Sequence, residues 1–113
     1  MNLNDIEKVI INEFFMRKGF YIKDKDCFFS DIHVISRNFS GVGFITDLKE
    51  SLKLKVGKNN ESYKWGHLGA KINSNIDTGY LLYLENGYIK TIEGYTYSEE
   101  WPENIVQIEV YQT

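Results

Sequence analysis

Asn86-Gly87 is the tightest constraint on this 113-residue chain. An Asn-Gly pair supplies the positive φ angles of a type I′ turn, whose twist matches that of two paired strands. Alternating apolar residues flank it on both sides, so the chain from Gly79 into Glu93 reads as an antiparallel hairpin. A two-residue loop fixes the register. Glu85 is then expected to face Tyr88, Leu84 to face Ile89, Tyr83 to face Lys90, Leu82 to face Thr91, and Leu81 to face Ile92. One face carries Leu82, Leu84, Ile89 and Thr91. The other carries Leu81, Tyr83, Glu85, Tyr88, Lys90 and Ile92.

The strongest helical signal lies at the other end. Ile6, Val9, Ile10 and Phe14 recur at helical spacing over Asp5 to Lys18. Asn4 suits the N-cap, Glu7 completes a capping box three residues later, and Gly19 suits the left-handed position after the helix. Phe20 to Ser30 reads as a connector, with Phe20, Tyr21, Phe28 and Phe29 docked on the core.

Ile32 to Phe39 reads as a strand, with His33, Ile35 and Arg37 on one face and Ile32, Val34 and Ser36 on the other. Val42 to Leu48 reads as a second strand, with Val42, Phe44 and Thr46 on one face. Lys49 to Lys55 alternates as a half-buried strand or the end of the preceding one, and Tyr63 to Asn73 resumes strand character. Asn73 to Gly79 reads as a turn region. Asn104 to Gln112 is the last strand, with Val106, Ile108 and Val110 inward and Gln107, Glu109 and Tyr111 outward. One helix and about six strands in hairpin order define an α+β domain. The expected architecture is an N-terminal helix packed on a curved, mainly antiparallel sheet, barrel-like in its strongest form. Nothing divides residues 1–113 into more than one domain.

An apolar content of 42% supports one modest core. With 13 basic and 16 acidic residues the net charge is −3, and the lysines are interspersed with acids, as in Lys23-Asp24-Lys25-Asp26. No basic stripe exists for nucleic acid, so that partner class is not expected. A lone cysteine, Cys27, excludes an internal disulfide. The N-terminus lacks the basic and apolar regions of a signal peptide, and no apolar run approaches the ~18 residues needed to span a bilayer. A cytoplasmic protein without membrane association is the expectation.

Catalytic constellations are poorly represented. Cys27 has no local motif that pairs it with His33 or His67 as nucleophile and base. Two histidines separated by 33 residues have no metal-ligand spacing, and Gly41-Val42-Gly43 lacks the third glycine and following helix of a phosphate loop. Glu93 beside Tyr95 and Tyr97 is the most suggestive acid, although an acid ending a hairpin is more often structural. No cofactor and no metal is expected. The better signal is for binding: Tyr95, Tyr97 and Trp101 lie within seven residues, with Glu99 and Glu100 beside them, and Tyr and Trp favour interfaces. Trp101 reads as a plug in the core and Tyr97 as the exposed member. The alternative is a small-molecule-binding domain or minor enzyme, with a pocket between helix and sheet lined by Phe14, Phe44, Tyr83 and Trp101 and with Arg37 or Glu93 as its polar group.

Phe39-Ser40-Gly41-Val42-Gly43-Phe44-Ile45-Thr46 and Glu93-Gly94-Tyr95-Thr96-Tyr97 with Trp101-Pro102, together with Gly66-His67-Leu68-Gly69-Ala70 and Gly79-Tyr80-Leu81-Leu82-Tyr83, resemble segments of a family of small bacterial single-domain α+β proteins. The resemblance spans Arg37 to Tyr111 and carries no assigned activity. Small acidic domains of this kind look like immunity proteins, which neutralise a partner toxin. The resemblance therefore implies a non-catalytic binding protein with a protein partner. Self-association through an exposed edge strand is the third reading.

Overall fold

In the computed structural model, which describes residues 1–97 and 99–112 and the side chains of all of these except His67 and Gln112, the N-terminal helix α1 spans Asp5–Arg17. Both arms of its capping box form: Glu7 N donates to Asn4 Oδ1 at 2.9 Å, and Asn4 N donates to Glu7 Oε1 at 2.8 Å. At the other end Gly19 has φ +88°. Its N–H donates to the Met16 carbonyl, and that of Phe20 to the Phe15 carbonyl. This crossed pair is the Schellman pattern, and the apolar contact that accompanies it is the Phe15–Phe20 ring pair, 6.4 Å apart. Phe20 is thereby fixed but 60% exposed, and Tyr21 is exposed too, so neither docks in the core. The buried stripe of α1 is Ile6, Glu7, Ile10, Ile11, Phe14 and Phe15, with Val9 only half-buried.

The segment read as a connector contains a second helix, α2 (Lys25–Ser30), whose N-cap Asp24 accepts from Cys27 N. The charged run that marks it as exposed also caps it, which is why six helical residues form there. Phe29 is buried and Phe28 half-buried, both stacked edge-on along a chain of rings that reaches Phe15.

Six strands follow: β1 (Val34–Phe39), β2 (Gly43–Leu48), β3 (Tyr63–Ile72), β4 (Ile76–Glu85), β5 (Tyr88–Thr96) and β6 (Ile108–Gln112). They form one antiparallel sheet in the order β1-β2-β5-β4-β3-β6. The sheet is open, with β1 and β6 as its edges, so the barrel-like form does not occur. α1 crosses one face. Its Glu7 meets β1 and β2, and Phe14 packs edge-on against Trp65 of β3 at 5.0 Å between centroids. Between helix and sheet lie Phe44, Leu48, Leu68, Ala70, Ile72, Tyr80, Leu82, Leu84, Ile89 and Ile92, all buried. Each large side chain withdrawn from water there contributes roughly 1.5–3 kcal/mol.

Among the described residues the register shifts at three places, between Trp65 and Leu68 in β3 and at two bulges that change the faces expected from simple alternation. The β4–β5 register begins as expected, with Glu85 opposite Tyr88 and Leu84 opposite Ile89. Tyr83 then pairs with Thr91, Leu82 with Ile92 and Leu81 with Glu93, so Lys90 is an extra residue. The bulge brings Ile92 to the core face beside Ile89 and turns Thr91 outward. Burying two isoleucines rather than one isoleucine and a threonine favours this register. In β1 the register shifts between Val34 and Ser36. Ile35 is left exposed, and Arg37 moves to the helix side with Val34.

Three smaller expectations also change. Leu52–Leu54 is a 3-10 turn that buries Leu54 and leaves Leu52 82% exposed, rather than a strand. The β3–β4 turn is confined to Asn73-Ser74-Asn75, where Asn73 and Ser74 take positive φ, so β4 starts at Ile76. The final strand begins at Ile108, and Val106 faces solvent. No helix among the described residues is long and apolar enough to cross a membrane.

Candidate functional site

Among the described residues, no helix lies over the face of the sheet turned away from α1. Cross-strand partners share a face, so the register places its residues in rows. One row crosses five strands as Gly43, Tyr95, Gly79, Gly69 and Tyr111. The next carries Ile45, Glu93 and Leu81. Beyond it lie Ser36, Asp47, Thr91, Tyr83 and Lys64. On the other side of the glycine row come Asp77, Lys71 and Glu109.

The glycines give this surface its shape. A Cβ on Gly79 would stand 2.5 Å from the Tyr95 ring, so Tyr95 lies flat across β4 where a side chain is missing. Tyr97, 60% exposed, meets Tyr95 edge-on at 5.6 Å. The phenol of Tyr95 is raised above its ordinary pKa, chiefly by burial and then by Tyr97.

The centre of the face is acidic. Tyr83 donates to Glu93 Oε1 at 2.8 Å, and this bond raises the Tyr83 pKa. Asp47 accepts from Thr91 at 2.9 Å and from Ser36 at 3.3 Å. Both carboxylates are half-buried, and among the described residues neither has a basic partner. Their hydrogen bonds come from neutral hydroxyls, which orient a charge without cancelling it.

At one end of the face Asp77, Tyr97, Glu99 and Tyr111 surround a cavity of about 380 Å³. Tyr111 donates to Asp77 Oδ1 at 3.0 Å; its pKa is raised first by burial and then by this bond. The loop carrying Glu99 is pinned at both ends. Thr96 Oγ1 donates to the Glu99 carbonyl, Thr96 N to the Val42 carbonyl at 2.8 Å, and Trp101 N to the Gly41 carbonyl at 2.7 Å. Gly41 takes φ +76° in that tight turn.

The residues singled out from the sequence therefore divide. Tyr95, Tyr97, Glu93 and Glu99 come together on the outward face. Glu100 is exposed on the adjoining loop. Trp101 turns to the helix side, edge-on to Phe44 at 5.2 Å and to Tyr80 at 6.4 Å, and plugs that end of the core. Arg37 binds Glu7 beneath the sheet, a consequence of the β1 bulge. The alternative pocket does not assemble: Phe14 and Phe44 are buried in the core, while Tyr83 lies on the opposite face. A shallow cleft of about 290 Å³ opens instead beside Phe44 and Trp101, against the first residues of α1. Cys27 and His33 are exposed, and the side chain of His67 lies outside the described residues. No cluster of three metal-ligating side chains occurs among the described residues.

Asp47, Asp77, Tyr83 and Tyr111 belong to the face but carried no sequence signal as a group. Reading Asn73-Ser74-Asn75 as the whole turn would have aligned Ile76, Thr78, Tyr80, Leu82 and Leu84 inward. Asp77, Gly79, Leu81 and Tyr83 would then have fallen together on the outside. Compared with known proteins, the chain matches no family model, no curated protein and no solved structure.

Proposed function

We propose that the protein is a non-catalytic binding protein whose outward sheet face takes a basic surface of a protein partner, in the manner of an immunity-type inhibitor of a bacterial toxin. The observation that carries this reading is the pair of half-buried carboxylates, Asp47 and Glu93, held at the centre of an uncovered face by hydroxyl groups alone. Such charges cost desolvation and return little to folding, so a cationic partner is what they suit. Four tyrosines around them supply large, rigid contact area of the type that anchors interfaces. A toxin acting on an anionic substrate presents a basic cleft, which an acidic face complements.

The test is co-expression with the product of each neighbouring gene, followed by affinity capture. Wild-type protein is expected to retain one such product. Glu93→Lys is expected to lose it, and Lys25→Glu on α2, away from the face, to keep it. Capture unchanged by Glu93→Lys rejects the face, and no capture of any neighbouring product rejects the immunity reading.

A further inference from the structure

The cavity at the Tyr97 end of the face has a lining of one kind. Its walls are two phenol rings, Tyr97 and Tyr111, and two carboxylates, Asp77 and Glu99. Among the described residues it offers no Lys or Arg to hold an anion. Aromatic rings beside carboxylates form the chemistry that receives an organic cation: ring faces attract the positive charge, and carboxylate oxygens accept its N–H groups.

The carboxylates retain capacity for that role. Tyr111 and Lys71 both approach Asp77 through Oδ1, at 3.0 and 3.9 Å, and Oδ2 accepts from no described residue. The Lys71 contact is long and exposed at both ends, and pairs of that kind contribute little. Glu99 has no basic partner among the described residues. On either side of it Thr96 N and Trp101 N donate to the Val42 and Gly41 carbonyls, and Thr96 Oγ1 donates to the Glu99 carbonyl itself.

We infer that this notch is a subsite for a single guanidinium side chain, an arginine presented by the basic partner. Guanidinium is favoured over ammonium because it is planar and weakly hydrated: it stacks on a phenol while its edge reaches two carboxylates. The inference rests on the reading that the face takes a basic partner, and it names the contact made at one end.

The test uses blocked tripeptides and needs no partner. Ac-Gly-Arg-Gly-NH2 is titrated into 15N-labelled protein, with Lys and Gln tripeptides as comparisons. The Arg peptide is expected to shift the amide signals of Asp77, Tyr97, Glu99 and Tyr111, with a Kd on the order of 1 mM. The Lys peptide is expected to bind more weakly, the Gln peptide not to bind, and added salt to weaken the response. Asp77→Asn with Glu99→Gln is expected to reduce Arg binding by about fivefold or more while the rest of the spectrum stays in place. Equal shifts from the Gln peptide, shifts confined to other residues, or no response to arginine overturn the subsite. A notch that ignores arginine in a protein that still loses its partner through Glu93→Lys rejects this inference alone. A notch that binds arginine in a protein indifferent to Glu93→Lys rejects the wider face and keeps the subsite.

Discussion

Arg37 on β1 and Glu7 on α1 meet through two parallel contacts, Nε to Oε2 at 2.8 Å and Nη2 to Oε1 at 2.6 Å, and these tie the helix to the edge of the sheet. Glu7 is fully buried, yet each oxygen is satisfied. Oε1 also accepts from Asn4 N at 2.8 Å, and Oε2 from Thr46 Oγ1 at 2.5 Å. The contact raises the Arg37 pKa further. One carboxylate thus closes a helix cap, an ion pair and a helix–sheet hydrogen bond. Removing only the cation leaves a buried charge, so Arg37→Leu is expected to cost about 3–5 kcal/mol in denaturant unfolding. Glu7→Leu on the same background removes that stranded charge. The double variant should be less destabilised than the sum of the singles, the lost cap accounting for about 1 kcal/mol. A loss under about 1 kcal/mol for Arg37→Leu would show that water reaches Glu7.

Tyr80 makes the fold sensitive to alkali. Its side chain is 1% exposed, and burial pushes its pKa up to about 12. Thr78 Oγ1 lies 2.8 Å from the Ala70 carbonyl and 2.9 Å from the Tyr80 oxygen. A carbonyl only accepts, so Thr78 donates to it and Tyr80 donates to Thr78. Because the folded pKa is raised, the contribution is fully present below the unfolded value near 10. It is lost as pH rises from about 10 to 12, by at most about 3 kcal/mol. Urea midpoints at about pH 8 and about pH 11 should therefore fall further apart in the wild type than in Tyr80→Phe. Equal differences in the two proteins would show that Tyr80 is not the group responsible.

What the sequence made legible follows the range of the forces involved. The α1 caps and the Asn86-Gly87 turn depend on residues within four positions of one another, and they form as read. So do the inward faces of Phe44, Thr46, Leu82 and Leu84, which simple alternation predicts. The bulges at Ile35 and Lys90 were not legible, because each is decided by what the partner strand and helix bury. Arg37 shows the consequence: alternation alone put it with Ile35, and the bulge delivers it to Glu7. The candidate face was half legible for the same reason. Tyr95, Tyr97 and Glu93 are neighbours in the chain, whereas Asp47, Asp77, Tyr83 and Tyr111 join them only through strand order.

Gly43 and Gly79 both flank Tyr95, yet alanine should act differently at each. A Cβ on Gly43 would fall 2.0 Å from the Gly94 carbonyl oxygen and 2.9 Å from the Tyr95 Cα, both backbone of β5. Relief requires β2 and β5 to separate, so Gly43→Ala is expected to cost about 1–3 kcal/mol or more. At Gly79 the Cβ would meet only the far end of the Tyr95 ring, which can swing away. Gly79→Ala should cost less than about 1 kcal/mol while altering the near-ultraviolet circular dichroism of the tyrosines. Equal destabilisation by the two substitutions would mean that the Tyr95 ring is as fixed as the backbone.

On the binding reading proposed above, Glu93 and Asp47 are where folding and binding can be tested separately. Glu93 pairs with Ile45 and Asp47 with Thr91, so the two acids occupy diagonal positions on adjacent strands. Side chains so placed lie roughly 7–8 Å apart, where like charges repel. Glu93→Gln removes the repulsion and keeps an oxygen to accept from Tyr83. It is therefore expected to leave stability unchanged or raise it by up to about 0.5 kcal/mol at low salt, with the gain shrinking as salt screens the pair. Partner capture should nonetheless weaken, since the removed charge is the one the face offers. Thermal unfolding at two salt concentrations, run beside the capture assay, checks both halves. A variant destabilised by more than about 1 kcal/mol would place Glu93 among the residues that hold the sheet together, and the loss of capture would then follow from unfolding rather than from the face.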